Sequence, residues 1–258
     1  MTMPSSQKII RAFADNKQIA NGARIIVQGR ANMTLLPDMF LVKMYNVSEE
    51  DLEQIKKSKI LSARGESGSS FCYGEIEDIY THIESTNEVT EVTVADGKSF
   101  WGSVKNITIG SGAYVSSAIK SLLSGASMGS YLAPDFRLVR GQTFYGRVAE
   151  SIHMLAQSVN ARAFITHGAL IVAEKGKAEN IIRIDDSLIL DDSKVSDGVR
   201  VLQTYVEGYA VGTLVILDRT RYRLVSQALD LDTMDGNWIS SLILIDENKL
   251  TNAELGGG

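Results

Sequence analysis

Over the first hundred positions the apolar residues come in short runs broken by turn residues, which is the spacing of β-structure. Ile9 to Phe13 is followed by Asn21-Gly22 and then Arg24 to Val27, and Pro37-Asp38 closes a loop before Phe40 to Tyr45. Ile76, Ile79, Tyr80 and Ile83 sit at helical steps, yet the run is β-branched and aromatic and leads into Thr90 to Val94, so it is read as strand. Asp96-Gly97 predicts a tight hairpin turn returning as Ser99 to Val104, because both central positions of a primed turn need positive φ. One helix interrupts these strands. Ser48, with Asp51 three residues on, predicts a capping box that opens a charged, solvated helix from Glu49 to about Lys57.

From Tyr114 the period becomes helical: Val115, Ile119, Leu122 and Leu123 share a face, Gly125 is placed to cap the end, and Pro134 breaks the chain. Phe144, Val148, Ile152, Leu155 and Val159 form the apolar stripe of a second helix lying on a sheet. Arg162 to Thr166, the His167-Gly168 turn and Ala169 to Val172 then predict a hairpin, which makes this stretch a small α/β unit. Beyond Lys177 the pattern is strand and turn throughout, at Leu188 to Leu190, Val199 to Val206, Leu214 to Leu217, Tyr222 to Leu229 and Trp238 to Asp246. These lengths suit a small antiparallel barrel, with the Trp238 ring expected inside it. Ile25 to Val27, Leu214 to Leu217 and Leu242 to Ile245 are apolar on consecutive positions, hence on both sides of a sheet. Another copy of the chain is the economical cover for such outer faces.

Composition narrows the classes. A net charge of −5 over 258 residues, with no run of Lys or Arg, argues against a nucleic-acid wrapper. The one cysteine, Cys72, cannot form an internal disulfide, which fits a reduced, cytoplasmic site of synthesis. No stretch approaches the roughly 18 apolar residues of a membrane span, and the opening residues lack the apolar core of a signal peptide, so neither a span nor a cleaved leader is expected.

Candidate chemistry is thin. Gly65 to Gly74 is Gly- and Ser-rich but lacks the Gly-Lys-Ser/Thr ending of a phosphate loop, and is read as a flexible loop. Gly125-Ala-Ser127-Met-Gly129 matches a nucleophile elbow, with Asp135 and His153 or His167 in the chain order of a serine hydrolase. However, a helix precedes Ser127 where the elbow needs a strand. Asp230, Asp232 and Asp235-Gly236 resemble the start of a calcium loop, but the third carboxylate is out of register and the closing Glu is absent. They read as turn residues, as do Asp185-Asp186 and Asp191-Asp192. His82, His153 and His167 are scattered without ligand spacing, and His153 reads as a packed, hydrogen-bonded side chain. No catalytic residue, cofactor site or metal site is expected.

Gly141-Gln-Thr-Phe-Tyr-Gly-Arg147, Leu155 to Asn160 with the hairpin after it, Tyr222 to Leu242, Ile26 to Asp38 and Gly74 to Tyr80 together resemble the baseplate hub proteins of contractile phage tails, the late-control-protein-D-like group. The resemblance covers nearly the whole chain. It implies a mainly β fold with an α/β insert: two tube-like antiparallel β-barrels flanking a small helix-plus-hairpin domain. The expected division is 1–109 for the first barrel with its connector helix, 110–176 for the insert, 177–250 for the second barrel and 251–258 for a tail. The implied role is structural: a homotrimer forming a pseudo-sixfold ring between a hexameric tail tube and a trimeric central spike. Tape measure and baseplate wedge proteins would be further partners, and no stable nucleic-acid binding is implied. A tail-tube or distal-tail protein is the nearest alternative, and a serine hydrolase using Ser127 a more distant one. The chain is short for the group, which puts an appended lytic segment in doubt.

Overall fold

The computed structural model describes residues 8–66, 68–124, 130–132, 137–174, 181–205, 208–234 and 238–250. The chain opens with β1 (Ile10–Ala14), β2 (Lys17–Ile19), β3 (Ile25–Asn32) and β4 (Asp38–Tyr45). It continues through α1 (Glu49–Lys57) into β5 (Ile60–Gly65), β6 (Ser70–Glu84) and β7 (Asn87–Asp96). The middle holds α2 (Lys98–Gly102), β8 (Ile107–Ile109), α3 (Val115–Leu123), β9 (Ser130–Leu132), β10 (Gln142–Phe144), α4 (Val148–Ser158), β11 (Ala161–Thr166) and β12 (Ala169–Glu174). The last part is β13 (Ile181–Arg183), β14 (Ile189–Ser196), β15 (Val199–Tyr205), β16 (Leu214–Leu217), β17 (Thr220–Asp232) and β18 (Trp238–Asp246). The protein is mainly β with a small helical portion.

Among the described residues, the first and last β-rich stretches are one sheet of thirteen strands, ordered β14-β15-β18-β17-β3-β4-β7-β6-β5-β1-β2, with β16 and β13 branching from β17. It rolls around two cores. Ile10 and Ala12 of β1, Ile19 of β2, Val27 of β3, Val42 of β4, Leu61 of β5 and Val94 of β7 meet Leu229 and Leu231 of β17 in one cluster, so strands far apart in the order face one another. Leu202 of β15, Val215 of β16, Tyr222 and Leu224 of β17, and Leu242 and Leu244 of β18 form a second cluster, with Ile182 of β13 and Ile189 of β14 against it.

β17 belongs to both. Thr220 to Arg223 pair with β16, Ser226 to Asp232 pair with β3, and β18 runs alongside from Tyr222 to Leu231, past the point of change. The change of partner coincides with a bulge against β18 between Leu224 and Ser226. One extra residue there bends the strand and increases its twist. The Leu224 carbonyl accepts from Gly212 N at 2.7 Å, while that of Val225 accepts from Met33 N at 2.8 Å, so neighbouring carbonyls serve the two halves in turn.

The insert forms its own core from α3, α4 and β11–β12: Ile119, Leu122, Ile152 and Leu155 are fully buried against Ile165 and Leu170. Ser48 caps α1 as expected, its hydroxyl accepting from Asp51 N at 3.1 Å. The Asp51 carboxylate does not complete the capping box and instead accepts from Ala20 N at 3.1 Å, tying the helix to the sheet.

Four expectations change. Phe144 lies in β10, not in the helix, because Gly146 at φ 95 turns the chain left-handed before α4 begins. Asp96-Gly97 does not make a hairpin: α2 follows, drawn in by the fully buried Phe100 and by the Glu75 carboxylate, which accepts from Ser99 N at 2.9 Å. The Gly- and Ser-rich stretch is a turn only at its start, since β6 begins at Ser70 and buries Phe71 and Cys72. Trp238 packs on the first core, not the second, with its ring edge-on to Phe71 at 5.8 Å and 86°. The doubly apolar strands also prove less bare than their sequence suggests. Ile25 and Val27 point inward, while Ile26 is half-buried between Lys43 and Asp232. Ile216 lies between Arg183 and Arg221, and Ile243 between Val201 and Ser226.

A shared β17 requires the two cores to melt together. Leu231→Ala in the first core and Leu244→Ala in the second are each expected to cost about 2–5 kcal/mol. Each should lower one and the same cooperative transition in denaturant melts followed by circular dichroism. Two resolved transitions, each responding to one substitution, would contradict the coupling.

Candidate functional site

The three units meet at the tip of the β11–β12 hairpin. Its turn residues His167 and Gly168 both hold positive φ, at 48° and 76°. A Cβ on Gly168 would come within 2.1 Å of the Tyr73 ring, so only glycine lets the turn seat against β6. Gly168 N donates to both Asp96 carboxylate oxygens, at 3.0 and 3.1 Å, and Ile165 N donates to the Thr34 carbonyl at 2.9 Å. Behind the tip, Phe164 of the insert packs with Met33 of the first half and Val211 of the second, with Val225 alongside. The insert is therefore wedged where β17 changes partner.

A polar path runs through this joint. The Ser226 hydroxyl, beside the bulge, donates to Asn32 Oδ1 at 2.9 Å, and Asn32 Nδ2 donates to Asp38 Oδ1 at 3.0 Å. Asp38 pairs across the strands with Asp96, which receives the insert turn. Both carboxyls are buried. Burial pushes Asp38 up to about 6 against its hydrogen bonds from Asn32. Burial likewise pushes Asp96 up to about 7, with the charge of Asp38 adding to it. Burial pushes His167 the other way, down to about 4.

A second buried group ties the insert to the other half. Arg223 of β17 makes a two-pronged contact with Glu247, Nη2 to Oε1 at 2.7 Å and Nε to Oε2 at 2.8 Å, and Arg162 of β11 lies 3.5 Å from the same Oε1. Arg223 Nη1 also donates to the Gly212 carbonyl at 2.6 Å and Arg162 Nη2 to that of Leu250 at 3.1 Å. One glutamate thus serves two buried guanidiniums, the arrangement in which removing a partner is most costly.

The residues weighed from sequence are dispersed. Ser127, Asp135, Asp235 and Gly236 lie outside the described residues, as do Gly125 and Pro134. His153 bonds Gln157 across one turn of α4 at 2.8 Å, and His82 stacks on Tyr80 at 5.2 Å on β6. His167 sits in the insert turn. Asp232 pairs with Arg24 at 2.5 Å and Asp230 accepts from Gln28 at 3.0 Å, so both serve the β3–β17 seam. Asp185 caps a short turn through Ser187 N at 2.9 Å. Asp192 pairs with Arg200, and Asp191 accepts from Ser193 at 3.2 Å. Burial pushes the Cys72 thiol up to about 12, leaving it unreactive. Among the described residues no group of three or more His, Cys, Asp or Glu could hold a metal ion, and no helix is long and apolar enough to cross a membrane. Sequence reading missed Asp38 and Asp96 as a pair because each looked like a turn residue. Arg162 was a visible oddity, a charge inside an apolar strand.

These features define a scaffold: one sheet rolled around two cores, braced at the crossing by an α/β insert. Solved structures share that fold. The tail protein of Neisseria meningitidis MC58 aligns at a TM-score of 0.63 over 92% of this chain and 96% of its own, with 10% identity. The prophage MuSo2 43 kDa tail protein of Shewanella oneidensis aligns at 0.63 over 93% and 98%, with 10% identity. The c3393 protein of E. coli, a type VI secretion component with structural similarity to the T4 tail proteins gp27 and gp5, aligns at 0.63 over 91% and 76%, with 9% identity. No protein-family model matches the chain, and neither does any curated protein. The fold is one found in phage-tail and type VI secretion proteins.

Two outcomes test the joint. An Asp whose folded pKa is raised stabilises fully below its unfolded value near 3.8, and that contribution is lost as pH rises through the folded value of about 7. His167, with its lowered pKa, contributes above its ordinary value of 6.5 and loses that contribution as pH falls through about 4, so it opposes the trend. Asp96→Asn isolates the carboxylate: its stability relative to the parent should rise between pH 4 and pH 7 in denaturant titrations, and a flat difference would contradict the burial. Glu247→Ala leaves two buried arginines facing each other and should cost about 3–5 kcal/mol in the same assay.

Proposed function

We propose that the chain is a structural protein of a contractile tail or tail-like injection particle and, within it, the baseplate hub. The observation that carries this reading is the rolling of one sheet into two cores joined by β17–β18. A chain that supplies two fixed β-wedges suits a ring in which three copies make six wedges, matching a sixfold tube on one side and a threefold spike on the other. The work is mechanical: to hold symmetry and transmit load, with the tail tube and central spike as direct partners and tape measure and wedge proteins as neighbours. The extents 1–109, 110–176 and 177–250 serve as first wedge, insert and second wedge, with α2 and β8 at the end of the first packed onto the insert and the last completed by its seam with β3. Fold similarity to tail proteins supports the reading, and so does an acidic balance suited to a conduit that does not hold DNA. The same architecture would serve a phage, a bacteriocin-like particle or a related injection system.

Particle symmetry tests it. Class averages of the assembled protein by electron microscopy should show rings of three chains with six density lobes. Rings of six chains would instead favour a tail-tube or distal-tail role, and a monomer at all concentrations would overturn both.

A further inference from the structure

We propose that the outer end of the β6–β7 hairpin of one copy docks against an arginine-lined groove on the insert of the next, so that identical chains join head to tail. The inference rests on the ring-forming role proposed above and names the surfaces that would close the ring. β7 is paired with β4 from Val89 to Asp96, but β6 pairs with β5 only as far as Glu75, so among the described residues Glu77 to Glu84 presents an open strand edge. Tyr80 is 58% and Ile83 68% exposed on this arm. An isolated exposed apolar residue is ordinary, whereas an open edge carrying two is a template for pairing. The arm also carries one sign of charge. Asp78, Glu84 and Glu88 are exposed on it, with no lysine or arginine between Ser70 and Gly97, while Glu77 and Glu91 are already paired with Lys98 and Lys43.

The complementary surface is on the insert. Arg137, Arg140 and Arg147 are exposed within a stretch that contains no acid, and Val139 there is 91% exposed. Arg137, Val139, Arg140, Gln142, Ser158 and Val159 line a groove of about 310 Å³. Among the described residues, β10, which enters the groove at Gln142, pairs with β8 alone and has no strand on its other edge. Acidic and apolar on the arm, basic and apolar in the groove, the two patches match in sign and character. Because they are different patches, copies meeting through them form a heterologous contact, which builds a ring when the rotation closes, rather than a two-fold dimer.

Charge exchange on the full chain tests this, with oligomeric state read by sedimentation and folding checked by circular dichroism. Asp78→Arg and Arg140→Asp are both surface changes and should leave the melt unchanged. Each alone is expected to weaken assembly by about tenfold or more in dissociation constant, and the two together to restore it. Assembly that ignores both single changes, or a double variant no better than the singles, overturns the docking. A trimer indifferent to these substitutions would sink this contact and leave the hub reading standing. An assembly of another stoichiometry that obeys the exchange would support the contact and sink the hub reading.

Discussion

The bulge at Val225 is the constraint on which the rest of the molecule depends. A strand has two edges, and β17 commits one of them to β18 from Tyr222 to Leu231. The other it divides between β16 and β3, and without a bend at the division Tyr222 and Leu224 could not face one core while Leu229 and Leu231 face another. Backbone hydrogen bonds reach both sides of the crossing, through Gly212 and Thr213 on one and Met33 on the other. Two cores that would be marginal apart are thereby joined through hydrogen bonds as well as packing.

The insert makes that bend a defined angle. Phe164 fills the space between Met33 and Val211, and the insert is tied separately to each half: to the first by Asp96 and Thr34, to the second by Glu247 holding Arg162 and Arg223. Buried charge is a poor source of net stability, but it is demanding about geometry, since a small shift leaves a guanidinium or carboxylate without its partner. A scaffold that must present two wedges at one angle has a use for that demand. The polar path from Ser226 through Asn32 to Asp38 and Asp96 places the strand crossing and the insert turn under the same constraint.

What the sequence disclosed was local. The Ser48 cap, the helical face from Val115 to Leu123 and the hairpin about His167-Gly168 depend on neighbours in the chain, and each formed where its pattern placed it. Asp96-Gly97 carried a true turn signal, but the direction taken afterwards was decided by Phe100 finding the insert core, which no dipeptide encodes. Trp238 was legible as a packing residue but not as one half-buried on the first core, because its partner Phe71 comes from a strand far off in the sheet order. The shared strand was hidden altogether: Leu224-Val-Ser226 reads as ordinary strand, and a bulge without glycine leaves no mark in the sequence. The buried carboxylates were hidden for a related reason, since aspartates at strand ends look alike whether they face water or another aspartate.

Hydrogen exchange along β17 and β18, measured under native conditions on the assembled protein, tests the coupling most directly. If the two halves are held by one strand, the amides from Arg221 to Leu224 and from Gln227 to Leu231 should open with the same free energy, that of global unfolding. Exchange of the first group through a separate, lower-energy opening that leaves the second protected would show two independent barrels lying side by side, and the account of a single braced scaffold would be wrong.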